Sequence, residues 1–163
     1  MKRYILTILI AMASIFETAA QKGNPVEGYL RSMGSSTICF TMSGTGLDGT
    51  AFKAQEGKMD LQFPNFRIEV AGHIVCEKGE DIWIYNPQTS EVVISGNVLA
   101  SLINDSSITV GNDGKPVLDF NNKNGSKMTF ILKKTEPHTK WPASHFIMDT
   151  KTLGDDVIVT DLR

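Results

Sequence analysis

The sequence contains little of what most catalytic, metal-binding and nucleic-acid-binding sites require. Its 163 residues include two cysteines and three histidines, and the formal net charge at pH 7 is −2. This slight acidity gives no reason to expect a nucleic-acid partner or attraction to an anionic membrane surface. The apolar run at the N-terminus is too short for a membrane-spanning helix of about 20 residues. The remaining functional signal therefore lies in the apolar residues.

The few candidates for catalysis form no recognisable constellation. The three histidines are His73, His138 and His145. They lie in different segments without the helical pairing of zinc enzymes, so each is interpreted as a solvated surface histidine. No Gly-x-Ser-x-Gly elbow is present, no phosphate-loop lysine follows Gly44, Gly46 and Gly49, and Asp155 and Asp156 are interpreted as a hydrated turn. We expect no catalytic residue, no metal and no cofactor, and thus a protein that is not an enzyme.

The N-terminus has the composition of an export signal. Lys2 and Arg3 are followed by an apolar run over residues 4–16 and by the small residues of a cleavage site. We interpret residues 1–20 as a signal peptide and residues 21–163 as one exported, soluble domain.

The segment from residue 57 to residue 95 gives the clearest secondary-structure signal. Apolar residues such as Met59 and Leu61 alternate with polar residues such as Asp60. This period gives each strand one apolar and one polar face, and turn residues recur at roughly eight to twelve positions, as in an antiparallel meander. A twisted sheet with one apolar face must close on itself or be covered by helices.

Two helices interrupt the strand pattern. Residues 26–33 and residues 97–104 carry apolar side chains at helical spacing, and Asn97 is a suitable N-cap. Residues 157–162 are predicted to form a closing strand. The predicted fold class is mainly β (α+β), a strongly curved antiparallel sheet of roughly eight to eleven strands with short helices.

The two cysteines are predicted to remain unbonded. Cys39 falls in the first predicted strand and Cys76 in the fourth, so three strand spacings of ~4.8 Å separate them by about 14 Å. A disulfide requires Cα atoms within roughly 7 Å of each other. An exported protein would allow the bridge, but this geometry argues against it.

The apolar strand positions are rich in methionine and phenylalanine, which leaves two interpretations open. Flexible thioethers and flat rings adapt to an acyl chain, and the concave side of a curved sheet is a natural apolar pocket. The same residues could equally form the ordinary core of a small β-protein.

The order of the motifs resembles a known family. Lys-Gly-Glu-Asp at 78–81 and Ile-Trp-Ile-Tyr-Asn-Pro at 82–87 are followed by ITVGNDGKPVLDF, SKMTFILKK and the ending DDVIVTDLR. This order, over about residues 23–163, resembles short members of the outer-membrane lipoprotein carrier (LolA) family. The resemblance implies an incomplete, strongly curved antiparallel barrel with short helices covering its open side.

The resemblance also implies a site and its partners. The expected lining of an apolar cavity is Phe40, Met42, Leu61, Phe66, Ile68, Phe130 and Phe146. The expected lid is Leu99, Leu102 and Ile103. The partners would be a lipoprotein or another acylated or lipid ligand, an inner-membrane ABC transporter and an outer-membrane acceptor, with the carrier itself monomeric.

Three functional hypotheses follow. The first is a periplasmic carrier that binds lipoprotein acyl chains or another lipid for transfer from the inner to the outer membrane. The second is a sensor or protein-interaction module on the same fold that transports nothing. The third, least favoured by the residues, is a small secreted hydrolase.

Overall fold

The described part of the chain forms a single ten-stranded sheet, one α-helix and two 3-10 helices. The residues that the computed structural model describes are 25–46, 48–96, 103–122 and 125–163, without the side chains of 103–105 and 122. The helices are α1 (Pro25–Ser32), η1 (Ala143–Phe146) and η2 (Thr150–Leu153). The strands are β1 (Ser35–Thr45), β2 (Ala51–Gln62), β3 (Asn65–Val70), β4 (His73–Lys78), β5 (Asp81–Asn86), β6 (Glu91–Gly96), β7 (Ile103–Val110), β8 (Pro116–Asn122), β9 (Lys127–Pro137) and β10 (Ile158–Asp161). None of the described helices is long and apolar enough to cross a membrane.

The strand order is β10-β6-β5-β4-β3-β2-β1-β9-β8-β7, so β10 and β7 are the two edges of an open sheet. Neighbouring strands are antiparallel, except that β10 runs parallel to β6. The predicted fold class is confirmed as a mainly β protein built on one curved open sheet. The closing strand is also present, but its parallel pairing departs from the predicted antiparallel arrangement.

Strand β1 shows how the sequence produces this sheet. Its residues alternate between buried and partly buried positions up to Met42, which matches the period of two in the sequence. The pairing of β1 with β9 shifts between Cys39 and Phe40, and its pairing with β2 shifts between Met42 and Gly44. Such bulges bend a strand and increase its twist, which favours a curved sheet.

A glycine allows a phenylalanine ring to lie flat on the sheet. Gly57 is paired with Phe40 across β1 and β2. A Cβ atom at Gly57 would lie 2.5 Å from two ring carbons of Phe40. Only glycine leaves room for the ring at this position.

Helix α1 confirms the prediction for residues 26–33 to within one residue. Glu27 in its first turn accepts a hydrogen bond of 2.7 Å from Arg31, an i,i+4 pair that supports a short helix. Val26 and Leu30 are buried on the adjacent face of the helix. Gly34, with a φ of 60°, follows the helix where the chain turns into β1.

The prediction of a helix over residues 97–104 is wrong at its end. Ile103 and Asn104 belong to β7, whereas residues 97–102 lie outside the described residues. A β-branched isoleucine fits a strand as readily as a helix, and pairing with β8 decides for the strand.

The sheet has apolar residues on both faces. The inner face carries Ile38, Phe40, Leu61 and Phe66, and its cluster extends over β8, β9 and α1. The outer face carries Cys76, Trp83 and Val92, which pack against Met148, Leu153 and Val157. The C-terminal segment, residues 138–157, therefore crosses the outer face.

Candidate ligand-binding face

Six of the seven residues predicted to line a cavity come together on the inner face. They belong to one cluster in which every one of the six is at most 5% exposed. The six residues are Phe40, Met42, Leu61, Phe66, Ile68 and Phe130. Period-two alternation places them there, because each occupies the same face of its own strand.

The inner face is lined by aromatic rings in edge-to-face contact. The ring centroids of Phe40 and Phe130 are 5.2 Å apart at 69°, and those of Phe120 and Phe130 are 5.5 Å apart at 78°. This arrangement is favourable for ring quadrupoles and leaves ring faces in contact with aliphatic neighbours. Met42, Met59 and other apolar side chains fill the space between the rings.

The structure separates Phe146 from the other six residues. It lies in η1, which packs against β3 and β4, and it is absent from the inner-face cluster. Its neighbour His145 is hydrogen-bonded to Asp60, which faces outward between Met59 and Leu61. Phe146 is therefore placed with the C-terminal segment on the outer face, and it does not line the inner face.

Helix α1 covers part of the inner face. Val26 is 0% exposed and Leu30 is 2% exposed, and both belong to the inner-face cluster. The guanidinium of Arg31 lies 4.4 Å from the ring centroid of Phe63, which anchors the helix beside the β2–β3 turn. Of the predicted lid, Leu99 and Leu102 lie outside the described residues, and Ile103 is in a strand.

Several polar residues also face inward, which sequence reasoning missed, and three of them are at most 2% exposed. Ser36 and His73 are 0% exposed and Glu77 is 2% exposed. His73, Val75 and Glu77 alternate along β4 and pair with Val70, Ile68 and Phe66 of the inner face. Period-two alternation along β4 puts His73 and Glu77 on the same face as Val75, which is the feature of the sequence that could have predicted their burial. Polar residues next to turns, however, usually lie on the protein surface.

The interpretation of His73 as a solvated surface residue is therefore wrong. Its Nδ1 atom lies 3.3 Å from the carbonyl oxygen of Ala71. Burial lowers the pKa of His73, because the surrounding apolar groups disfavour the charged imidazolium.

The outer face carries a second polar cluster. The Asp60 carboxylate accepts a hydrogen bond from Thr37 at 2.8 Å and interacts with His145 Nε2 at 2.9 Å. The Trp141 indole is stacked between two imidazoles, with centroid distances of 3.4 Å to His138 and 4.1 Å to His145. This cluster fixes the C-terminal segment on β2. His145 is therefore packed within a cluster, and the interpretation of it as a solvated surface histidine does not describe its surroundings.

The described residues contain no group of three or more His, Cys, Asp and Glu that could hold a metal ion. Cys39 and Cys76 are both free, on strands separated by β2 and β3, as the strand-spacing argument predicted. Burial raises the pKa of the Cys76 thiol to about 11, although Arg67 lies beside it with Nη1 at 3.6 Å from the sulfur. A thiol of this kind is a poor nucleophile at neutral pH.

Comparison with known proteins finds solved structures that match this chain at low sequence identity. An uncharacterized conserved protein from Thermus thermophilus matches with 13% identity and a TM-score of 0.49, over 88% of this chain and 99% of that chain. A LolA superfamily protein from Nitrosomonas europaea matches with 12% identity and a TM-score of 0.41, over 83% of this chain and 96% of that chain. No family model and no curated protein matches the sequence.

Proposed function

We propose that this protein is an exported, periplasmic lipid carrier whose inner face binds the acyl chains of lipoproteins or of another lipid. The observation that carries the proposal is the inner face itself, a largely apolar surface of aromatic rings and methionines on a curved sheet whose edges stay open. The motif order that resembles the outer-membrane lipoprotein carrier family supports the same function. Such a carrier acts by binding and release and requires no catalytic residue, metal or cofactor.

The energetics of burial allow an acyl chain to compete with helix α1 for the inner face. Burying one methylene group contributes ~0.8 kcal/mol, so eight methylenes contribute about 6 kcal/mol. Each buried apolar side chain of the helix contributes about 1.5–3 kcal/mol, and α1 places Val26 and Leu30 on this face. An acyl chain of ordinary length can therefore offset the loss of both contacts. In this proposal α1 is the element that moves when a ligand enters.

In the proposed pathway, cargo comes from an inner-membrane ABC transporter and passes to an outer-membrane acceptor. Exchange of this kind suits a site formed by non-directional apolar contacts, because chains of different length and saturation fit the same adaptable surface. The carrier would work as a monomer, since its inner face is already covered within one chain.

A photoactivatable 16-carbon acyl probe tests the site without any mutation. After irradiation and proteolysis, we expect cross-links on inner-face residues such as Met42, Phe66 and Phe130. Trp83 and Ile94 of the outer face serve as internal controls and should remain unlabelled. Labelling confined to the outer face, or no binding of any acyl probe, would refute the carrier function.

A protein-interaction module on the same fold is the second candidate, favoured by one observation. Several exposed large apolar residues of the described chain lie near its C-terminal end. They are Ile147, Ile158, Val159 and Leu162. Strand β10 is also a sheet edge, and an edge can accept a further strand from a partner. Absence of acyl binding, together with a partner lost in Val159→Lys, would favour this function.

A further inference from the structure

One cross-strand row of the inner face combines buried apolar and buried polar side chains. Register pairs Ser36 with Leu61, Leu61 with Phe66, Phe66 with Glu77, and Glu77 with Ile82. Ser36 is 0% exposed and Glu77 is 2% exposed. We call this row, which lies at the end of the sheet near the β2–β3 turn, the polar row.

The next row of the same face is apolar throughout. It pairs Ile38 with Met59, Met59 with Ile68, Ile68 with Val75, and Val75 with Ile84. A ligand on the inner face therefore meets a purely apolar surface beside a surface that carries a carboxyl group. An amphiphile has the same division between its chain and its headgroup.

The position of Glu77 is unusual for an acidic side chain. Glu69, on the neighbouring strand β3, faces outward, where it accepts a hydrogen bond of 2.9 Å from Arg67. Glu77 instead lies between the buried residues Phe66 and Ile82. A buried carboxyl group requires compensating interactions, and its replacement by a well-packed apolar residue is often neutral or stabilising.

The chemistry of the polar row favours ligands that donate hydrogen bonds. A carboxyl group carries lone pairs on both oxygens, so Glu77 can accept hydrogen bonds from a ligand in addition to its interactions within the protein. A free fatty acid would bring a second carboxyl group next to Glu77, and two carboxyl groups that share an apolar site cannot both be ionised, so its binding requires that one of them be protonated.

We propose that Glu77 is the specificity-determining polar subsite of the inner face. It selects amphiphiles whose headgroup donates hydrogen bonds, through hydroxyl, amide or ammonium groups, over amphiphiles with a free carboxylate. The chain of such a ligand lies along the apolar row beside it. This inference depends on the proposed lipid-binding function and names the ligand class for that site.

Competition binding with two probes of equal chain length tests the subsite. Monopalmitoylglycerol and palmitate each displace a fluorescent acyl probe from the whole protein at pH 7.5. We expect the wild-type protein to bind monopalmitoylglycerol at least tenfold more tightly than palmitate. In Glu77→Gln the ratio should fall below threefold, mainly because palmitate binds better once the second carboxyl group is removed. Glu69→Gln on the outer face is the matched control and should keep the wild-type ratio.

The outcomes separate this inference from the proposed function. If the wild-type protein binds both probes equally well, the inference is refuted while the carrier function stands, even if Glu77→Gln does not fold. If Glu77→Gln folds, binds both probes and keeps the wild-type ratio, the inference is also refuted. If the wild-type protein binds neither probe, the lipid-binding function itself fails. A shift of the ratio in His73→Asn, without one in Glu77→Gln, would assign the selectivity to the opposite end of β4.

Discussion

At the scale of single residues, the buried imidazole of His73 makes a prediction for stability. Burial lowers the pKa of His73 in the folded protein, so the unfolded chain takes up this proton first as the pH falls. The contribution of His73 to stability is therefore complete above its unfolded pKa of about 6.5 and decreases as the pH falls below that value. We expect the free energy of unfolding to decrease between pH 7 and pH 5 in the wild-type protein, and to decrease less steeply in His73→Leu.

Urea unfolding at a series of pH values measures this difference. His138→Ala is the matched control for the removal of a histidine, because His138 is exposed. If the free energy of unfolding changed with pH in parallel for the wild-type protein and for His73→Leu, burial of His73 would not affect its titration.

At the scale of elements, the sequence determines which residues of a strand share a face, but not always what those residues pack against. Alternation correctly groups Phe40, Leu61 and Phe66, because the period of two is a local property of the backbone. The prediction for Phe146 is wrong because a single 3-10 turn has no periodicity from which a face can be read. The same limit applies to β10, whose parallel pairing with β6 depends on contacts between residues about 67 positions apart in the chain.

The polar residues of β4 illustrate a second limit. Period two groups His73 and Glu77 with Val75, yet the sequence alone favours a surface position for both, because polar side chains usually lie outside. Burial of such groups depends on the strands that cover them. The candidate polar subsite can therefore be recognised only when the register of β3, β4 and β5 is known.

Helix α1 provides the prediction at this scale, since it covers the face that a ligand would occupy. Leu30→Ala removes a side chain that is 2% exposed in the inner-face cluster, which should lower the free energy of unfolding by about 2–3 kcal/mol. The same change should increase the affinity for a 16-carbon acyl probe severalfold, because the ligand then displaces fewer contacts. Chemical denaturation and probe titration measure the two effects.

The matched control for Leu30→Ala lies on the outer face. His145→Ala removes the 2.9 Å contact with Asp60 and should lower stability without changing the affinity for the probe. If Leu30→Ala binds the probe more weakly than the wild-type protein does, α1 contributes to the ligand site and does not compete with the ligand.

At the scale of the whole molecule, ligand binding and stability must be linked. A ligand that binds only the folded protein stabilises it by about 2.7 kcal/mol at a concentration of 100 times its Kd. For a domain of this size each kcal/mol raises Tm by about 2–4 °C, so a saturating 16-carbon ligand should raise Tm by roughly 5–10 °C.

An 8-carbon ligand with the same headgroup, at the same concentration, should give a much smaller rise, because each buried methylene contributes ~0.8 kcal/mol to binding. Differential scanning fluorimetry below the critical micelle concentration measures both shifts. A rise that does not depend on chain length would mean that the headgroup alone is recognised, and a fall in Tm would mean that the amphiphile acts on the unfolded chain.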